Sequence, residues 1–399
     1  MGNIRDDFPF LRNHPELIYF DNAATSLKPQ VVIDEVSNYY ENIAANIHRG
    51  DYKLSHLASN KFDESRQTVA DFINANPEEI VFTSGASESL NLVAIGYGQK
   101  HLKEGDVILL NETEHASNLL PWYALAKRNK LKLEFIKTNE QGDILLHDFE
   151  QAMHSKVKLV SIAHSSNVLA YIRDIKNMSA IAHSYGAIMV VDGAQTVGHI
   201  KIDVQDLAVD FFAFSGHKMF APSGVGVLYG KKELLEETDP IFYGGGSNHD
   251  FGIDGLMTLK KSPLKFESGT PNIEGVLGLK KAIDYINSVG IDYIHRRNQE
   301  LYNYAYTKLS TLKHLVIYNP NADLSIISFN VEGIFAQDVA QYLDSFNIAV
   351  RTGDHCAKAF DPSLKKTKTI RLSMHFYNNE KEIDILYEAL KDITLEKCI

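Results

Sequence analysis

A lysine, an aspartate, several imidazoles and a turn of small residues stand just past apolar runs in this 399-residue chain, and these residue types can do chemistry. Ser84-Gly85-Ala86-Ser87 follows the run 79–82, His115 follows 107–110, and His164 with Asn167 follows 157–162. Asp192 and Gln195 follow 187–191, and Ser215, His217 and Lys218 follow 210–214. A single polar residue after a strand is an ordinary turn or cap. The combination says more, because each member suits one cofactor. A Gly-Ala-Ser turn opening a helix points free N–H groups at a phosphate. A carboxylate ending a buried strand holds a pyridine nitrogen protonated, so that the ring accepts electrons, and a lysine past another strand forms an imine. Those are a protein's usual contributions to pyridoxal phosphate chemistry. A nucleotide site is the rival, yet neither a G-x-G-x-x-G nor a P-loop pattern is present. Gly224-Val225-Gly226 opens a strand instead of a helix and reads as structural.

The elements that must position these residues follow from periodicity. Near-continuous apolar runs alternate with amphipathic stretches at 87–102, 117–129 and 177–185. That alternation predicts a largely parallel sheet with helices on both faces, whose ligands bind beyond the carboxyl ends of the strands. The interval between 214 and 226 is too short for a helical crossover, so 226–229 is expected to form an antiparallel edge. After Pro271 the texture changes, with helical patterns at 273–289, 291–312, 336–346 and 380–395 and short strands at 325–329 and 348–351. This predicts a smaller α+β domain. Neither an internal repeat nor a low-complexity linker separates the two.

Composition limits the partners. At roughly 150 residues per domain the length suits two domains. Lys+Arg 40 against Asp+Glu 51 gives a net charge of −11, which argues against nucleic acid or an anionic membrane as the main partner. Cys356 and Cys398 are too few for a disulfide framework or a four-cysteine zinc site, and the scattered histidines show no metal-ligand spacing. The first residues lack the apolar core of a signal peptide, Asp6 stands where a myristoylation motif wants Ser or Thr, and no apolar run nears the ~18 residues of a membrane span. The expected location is cytoplasmic.

Val191-Asp192-Gly193-Ala194-Gln195, followed by Phe214-Ser215-Gly216-His217-Lys218-Met219, resembles the class V aminotransferase superfamily of fold-type I pyridoxal-phosphate enzymes. Tyr19-Phe20-Asp21-Asn22-Ala23-Ala24-Thr25-Ser26, Asn46-Ile47-His48-Arg49-Gly50, Glu114-His115-Ala116-Ser117-Asn118, Glu267-Ser268-Gly269-Thr270-Pro271-Asn272 and Arg351-Thr352-Gly353-Asp354-His355-Cys356-Ala357 narrow the resemblance to SUF-type (group II) cysteine desulfurases. It runs from Phe8 to Leu395. The implied fold is the α/β fold-type I transferase: a mostly parallel mixed sheet with helices on both faces, plus a smaller α+β domain. The implied domains are 15–284, binding the cofactor, and 1–14 with 285–399, carrying the sulfur-transfer loop.

The resemblance also implies roles. Lys218 would be the Schiff-base lysine and proton carrier, Asp192 the partner of the pyridine nitrogen, and His115 the stacking imidazole. Gln195 and Asn167 would approach the ring hydroxyl. The turn at Ala86 and Ser87, with Ser215 and His217, would bind the phosphate, joined by Thr270 of a second subunit. Arg371 would hold the substrate carboxylate, for which a planar guanidinium is a natural fork. Asn167, Arg351, His355, His48 and Arg49 would complete the substrate side. Cys356 would attack the substrate sulfur and carry it away as a persulfide. Its thiolate is the reactive form, which His355 and Arg351 would favour and Asp354 would oppose. Cys398 is expected to be a bystander.

Several positions depart from the family pattern. Ala86 and Ser87 replace two threonines, Ala116 replaces a second histidine, Asp354 replaces the first histidine of Gly-His-His-Cys, and Ala170 replaces a glycine. The cofactor assignment is untouched by these changes, whereas substrate choice is left open. The implied activity is conversion of L-cysteine to L-alanine by a cytoplasmic homodimer. It would supply a small sulfur-acceptor protein of the SufE/SufU kind in iron–sulfur cluster assembly. The alternatives are a selenocysteine lyase, another class V lyase, epimerase or aminotransferase, or an inactive scaffold. Transamination and epimerisation need no thiol, so Cys356 separates them from desulfuration.

Overall fold

The computed structural model describes residues 4–358 and 368–398. Its strands, in chain order, are β1 Ile18–Tyr19, β2 Ile80–Thr83, β3 Val107–Asn111, β4 Lys132–Ile136, β5 Val157–Ala163, β6 Ile188–Asp192, β7 Phe211–Ser215 and β8 Gly226–Gly230. They continue with β9 Asn248–Phe251, β10 Met257–Leu259, β11 Leu315–Ile317, β12 Ile326–Val331, β13 Ile348–Ala349, β14 Arg351–Gly353 and β15 Thr369–Ser373. Seven of them form the large sheet, in the order β2-β8-β7-β6-β5-β3-β4. Five run parallel, and β8 is antiparallel to both β7 and β2. The antiparallel strand is where the sequence puts it, but it is not an edge. β2 lies outside it, since the fully buried run Ile80–Thr83 needs β8 on one side and helices above and below. Helices on both faces are what a sheet buried throughout requires.

The second sheet has the order β11-β12-β15-β14 and is antiparallel throughout. The helices Ala336–Asp344 and Glu380–Lys391 bury Val339, Leu343, Ile383, Leu386 and Leu390 beside Phe329 and Ile370 of this sheet in one apolar cluster. Phe8 sits at the seam between the two sheets. Its ring lies 6.2 Å from Phe220 and 6.0 Å from Tyr285 on one side, and 4.5 Å from Tyr377 on the other. Burying such a ring removes well over ~100 Å² of apolar surface from water. β1 crosses the same seam by pairing in parallel with β13.

A buried ion pair anchors the loop that carries Thr270. Arg66, on the helix Lys53–Ile73, donates to the Ile80 carbonyl at 2.7 Å and to both Glu267 oxygens at 2.8 and 2.7 Å. Glu267 also accepts the Phe82 N–H at 2.9 Å, and the guanidinium lies 4.6 Å from the Phe82 ring centre. Both terminal guanidinium nitrogens and both carboxylate oxygens are thereby bonded, as a pair taken out of water requires.

Candidate active site

The carboxyl ends of β2, β3, β5, β6 and β7 face a cavity of about 260 Å³. β14, β15 and the turn after β14 close it from the second sheet. Lys218 ends a short 3₁₀ turn, Gly216–Lys218, directly after β7. Gly216 lies so close to Ala221 and Val225 that a β-carbon would stand 3.0 Å from each, and its N–H donates to the Val225 carbonyl at 2.9 Å. The segment 25–28 braces the next residue, since the His217 carbonyl accepts from the Ser26 N–H, the Thr25 hydroxyl and the Lys28 ammonium, each at 3.0 Å. Lys218 itself lines the cavity. Burial, with help from Arg371 and Arg351, lowers its pKa to about 8, while Asp192 and Cys356 pull the other way. An amine near that value is partly neutral at physiological pH and can become a nucleophile or accept a proton.

Asp192 closes β6 and is 6% exposed. Its Oδ1 accepts the Ala194 N–H at 2.9 Å. Burial raises its pKa, against Lys218 and that hydrogen bond, so the carboxyl favours a partner that brings a proton or positive charge. The turn after β2 presses close to β8, where a β-carbon on Gly226 would lie 2.4 Å from Gly85. There the Ala86 N–H donates to Ser215 Oγ at 2.9 Å, and the Ser87 and Ser117 hydroxyls share a 2.6 Å hydrogen bond. His115 is held by its Nδ1, which accepts the Ser117 N–H at 3.1 Å and so leaves the ring proton on Nε2. Burial and the nearby Lys218, Arg371 and Arg351 lower its pKa to about 4, and burial with Lys218 and Lys28 does the same for His217. Both rings are neutral near pH 7.

The wall formed by the second sheet is cationic. Arg371 is 2% exposed; Nη1 donates to the Asn167 carbonyl at 3.1 Å and Nη2 to Asp21 Oδ1 at 3.2 Å. Arg351 reaches the other Asp21 oxygen at 3.6 Å. Asn167 donates Nδ2 to the His355 carbonyl at 2.8 Å. Asn167 Oδ1 and Arg371 Nε are buried with no hydrogen-bond partner among the described residues. Gln195 spends an amide hydrogen on the Ala23 carbonyl at 3.1 Å.

Cys356 is exposed at the rim of this cavity. It forms the third residue of a turn in which His355 and Cys356 both have positive φ, 48° and 58°, and the Ala357 N–H bonds the Asp354 carbonyl at 2.8 Å. Those are the marks of a type I′ turn, which normally carries Asn-Gly. Each non-glycine residue held there costs about 1–2 kcal/mol. The sequence-based expectation that His355 charges the thiol is not met by this geometry. His355 is buried, its Nε2 pairs with Thr369 Oγ1 at 2.9 Å, and burial with Arg371 and Arg351 lowers its pKa to about 3. The cations facing the thiol are Lys218 and Arg371. Asp354 has Lys358 at 4.0 Å, which blunts its charge.

Ala86, Ser87, His115, Asn167, Asp192, Gln195, Ser215, His217, Lys218, Arg351, His355, Cys356 and Arg371 thus converge on one cavity. Thr270, His48 and Arg49 do not reach it. They line a second pocket of about 90 Å³ with Asn46, Lys260 and Gly246. His164 is a buried imidazole bonded to Thr196 at 3.2 Å. Asp21 belongs to the motif at 19–26, and only folding brings it to Arg371, 350 residues away. Residues 359–367, in the segment expected to carry the sulfur-transfer loop, lie outside the described residues.

The buried imidazoles make stability depend on pH. Burial holds His164 and His199 near about 4, and His355 near about 3. An unfolded imidazole titrates near about 6.5, so below that pH the unfolded chain binds more protons than the folded one. Stability is therefore complete above about pH 6.5 and is lost on acidification, by up to about 1.4 kcal/mol per pH unit for each such group. The thermal midpoint is expected to drop by several degrees from about pH 7.5 to about pH 5.5. A midpoint unchanged across that interval would mean that these rings already accept protons in the fold.

These features define a fold-type I pyridoxal-phosphate enzyme, and residues 18–386 match the Aminotransferase class-V family; the chain belongs to it. Over 392 residues it is 43% identical to a probable cysteine desulfurase of Halalkalibacterium halodurans, covering 97% of this chain and 96% of the relative. A cysteine desulfurase from Thermococcus onnurineus, solved without ligand, superposes with a TM-score of 0.93 at 42% identity, covering 98% of this chain and 96% of that one. The cysteine desulfurase CsdA of Escherichia coli, solved as an S-sulfonic acid, superposes at 0.91 with 34% identity and 96% coverage of both chains.

The cavity fits the family's cofactor. Burial raises the Asp192 pKa despite Lys218, which suits a partner that brings a proton; Asn167 Oδ1 has no hydrogen-bond partner among the described residues, and the Gly85–Gly226 approach keeps side chains out of the space beside the Ala86 turn.

Proposed function

We propose that this chain is a cysteine desulfurase, which removes the sulfur of L-cysteine onto Cys356 and releases L-alanine. One observation carries the reading: an exposed thiol in a strained turn stands at the rim of the cavity whose interior holds Lys218 and Asp192. A transaminase or epimerase has no use for that placement. Bound pyridoxal phosphate supplies an electron sink that lets the bonds at the amino-acid carbons break. Lys218 would hold the cofactor and move protons, Asp192 would pair with its ring nitrogen, and His115 would lie against it. Ser87, Ser215, His217 and the Ala86 N–H would take the phosphate. Arg371 would hold the substrate carboxylate, with Arg351 and Asn167 beside it.

The reading extends to the assembly. Residues 15–284 form the cofactor domain, and 1–14 with 285–399 the smaller one. Thr270, His48 and Arg49 would complete the site of a second copy. An apolar hairpin, β9–β10, supports this, because it stands beside their pocket with Phe251 and Leu256 each 72% exposed. A small acceptor protein would take the persulfide sulfur to iron–sulfur cluster assembly in the cytoplasm. No helix among the described residues is long and apolar enough to cross a membrane.

Incubating the yellow protein with L-cysteine and dithiothreitol tests the core of this reading. Alanine and sulfide are expected in equal amounts. An intact cofactor band with neither product would sink the desulfurase assignment and turn attention to other amino acids.

A further inference from the structure

We propose that the backbone N–H of Ala116 and the side-chain amide of Asn167 are positioning groups that clamp the strained His355-Cys356 turn and so aim the thiol into the cavity. The inference rests on the desulfurase reading and adds to it the means by which Cys356 is held. The turn bears two consecutive non-glycine residues at positive φ, and the Asn-Gly chemistry that normally favours such a turn is absent. Left alone, a His-Cys pair would relax toward negative φ, and the mirror-image turn would send the thiol to the other side of the loop.

Two donors from separate elements oppose that relaxation. The Ala116 N–H, on the loop after β3, donates to the Cys356 carbonyl at 2.7 Å. Asn167 Nδ2, on the loop after β5, donates to the His355 carbonyl at 2.8 Å. Each carbonyl of the strained pair is thus bonded to the large sheet. His355 adds a third tie within the small sheet through Thr369 at 2.9 Å. A backbone carbonyl can be aimed this way only when its own φ and ψ are fixed, so the bonds and the strained angles require one another.

The consequence is a coupling between His115 and the thiol. His115 and Ala116 are adjacent, and the same short helical turn, Ala116–Asn118, that orients the imidazole through Ser117 also carries the donor to Cys356. Arg371 donates to the carbonyl of Asn167, so the residue expected to take the substrate carboxylate grips the second donor. Displacing any one of the three would shift the thiol. Ala116 thus acts through its N–H, whatever its side chain.

The test is Ala116→Pro in the cofactor-loaded protein. Position 116 is the first of a helical turn, where proline is tolerated, and His115 has φ −62° and ψ 146°, which a following proline allows. The change removes one N–H and sets a ring carbon against the Cys356 carbonyl. Amide hydrogen exchange across 354–358 is expected to quicken at least ~10-fold, since the turn then opens locally. Exchange around 188–192 and the visible cofactor band should stay as in the wild type. The rate of sulfur transfer to Cys356 should fall at least ~10-fold with KM within about twofold, as for a lost transition-state alignment. A second change, Cys356→Gly, puts at the later positive-φ position the residue a type I′ turn normally carries there, keeps the His355–Thr369 bond, and should restore much of the protection in the double variant.

Unchanged exchange across 354–358 would overturn the clamp, as would faster exchange with an undiminished transfer rate. Should Ala116→Pro lose the cofactor band, the Cys356→Gly change alone decides: slower exchange at 354–358 supports a turn held under strain, and unaltered exchange refutes it. The exchange readout does not depend on which substrate the enzyme takes. A protein that makes no sulfide from L-cysteine but shows the exchange pattern would retain the clamp and lose the desulfurase reading.

Discussion

Replacing Lys218 with alanine is expected to abolish the visible absorption of the lysine-bound cofactor and to lower alanine formation by at least ~10³-fold. The expectation has two parts, which different measurements separate. Covalent attachment needs an amine that can be neutral, and a lysine at its ordinary pKa of about 10.4 is almost wholly protonated near pH 7. Burial, Arg371 and Arg351 bring Lys218 down to about 8, so a neutral fraction is available without losing the base strength needed to accept a proton. Proton transfer by a positioned side chain contributes about 10²–10⁴-fold in such enzymes, and the attachment adds to it. The substitution leaves a buried apolar methyl where the ammonium was, so Asp192 and Cys356 lose a cation that both feel. Absorption spectra with and without added cofactor check the first part, and single-turnover alanine formation checks the second. A band that survives unchanged would remove Lys218 from the attachment role. A lost band with wild-type turnover would show another base doing the proton transfer.

The route from sequence to site was readable where physics is local. A strand buried on both faces reads as an apolar run, and the residue after it must leave the sheet, so Asp192 and Lys218 could be placed from the pattern around them. The helix Ile273–Val289 is bounded as expected, because Asn272 accepts the Gly275 N–H at its start and Gly290 follows its end. Other features depend on contacts that no local pattern encodes. β1 and β13 are two-residue strands whose pairing joins positions 18–19 to 348–349. The β9–β10 hairpin has no buried face to give an alternating signal. The short connection from β7 to β8 shows the direction of β8 but not that β2 lies beyond it. Asp21 looked like one letter of a motif, and only the fold sets it between Arg371 and Arg351. His355 was expected to lend charge to its neighbour. Adjacency in sequence said nothing of the turn that rotates its ring toward Thr369 and into the interior.

Cys356→Ser is the change expected to separate cofactor chemistry from sulfur transfer. The exposed residue bonds to the large sheet through its carbonyl, which serine keeps, so the turn and the cofactor band should persist. What disappears is the sulfur nucleophile. In the proposed step, Cys356 Sγ attacks the sulfur of the bound amino acid, a sulfur–sulfur bond forms, and the carbon–sulfur bond breaks. The electron pair stays on carbon, which takes a proton and departs as alanine. A hydroxyl cannot replace the thiolate here, because it does not ionise near neutral pH and forms no persulfide. Alanine and sulfide should both fall by at least ~10²-fold, the lower end for loss of a positioned catalytic group. Cys398 provides the control: it follows the last 3₁₀ turn, Leu395–Lys397, and packs beside the second sheet's core, away from the cavity, and Cys398→Ser should leave both products within about twofold. Mass spectrometry of the wild type after L-cysteine, without reductant, should find one added sulfur on the peptide carrying Cys356 and none on that carrying Cys398. Undiminished sulfide from Cys356→Ser would mean that the sulfur leaves the substrate unaided, which is the outcome expected of a simple lyase.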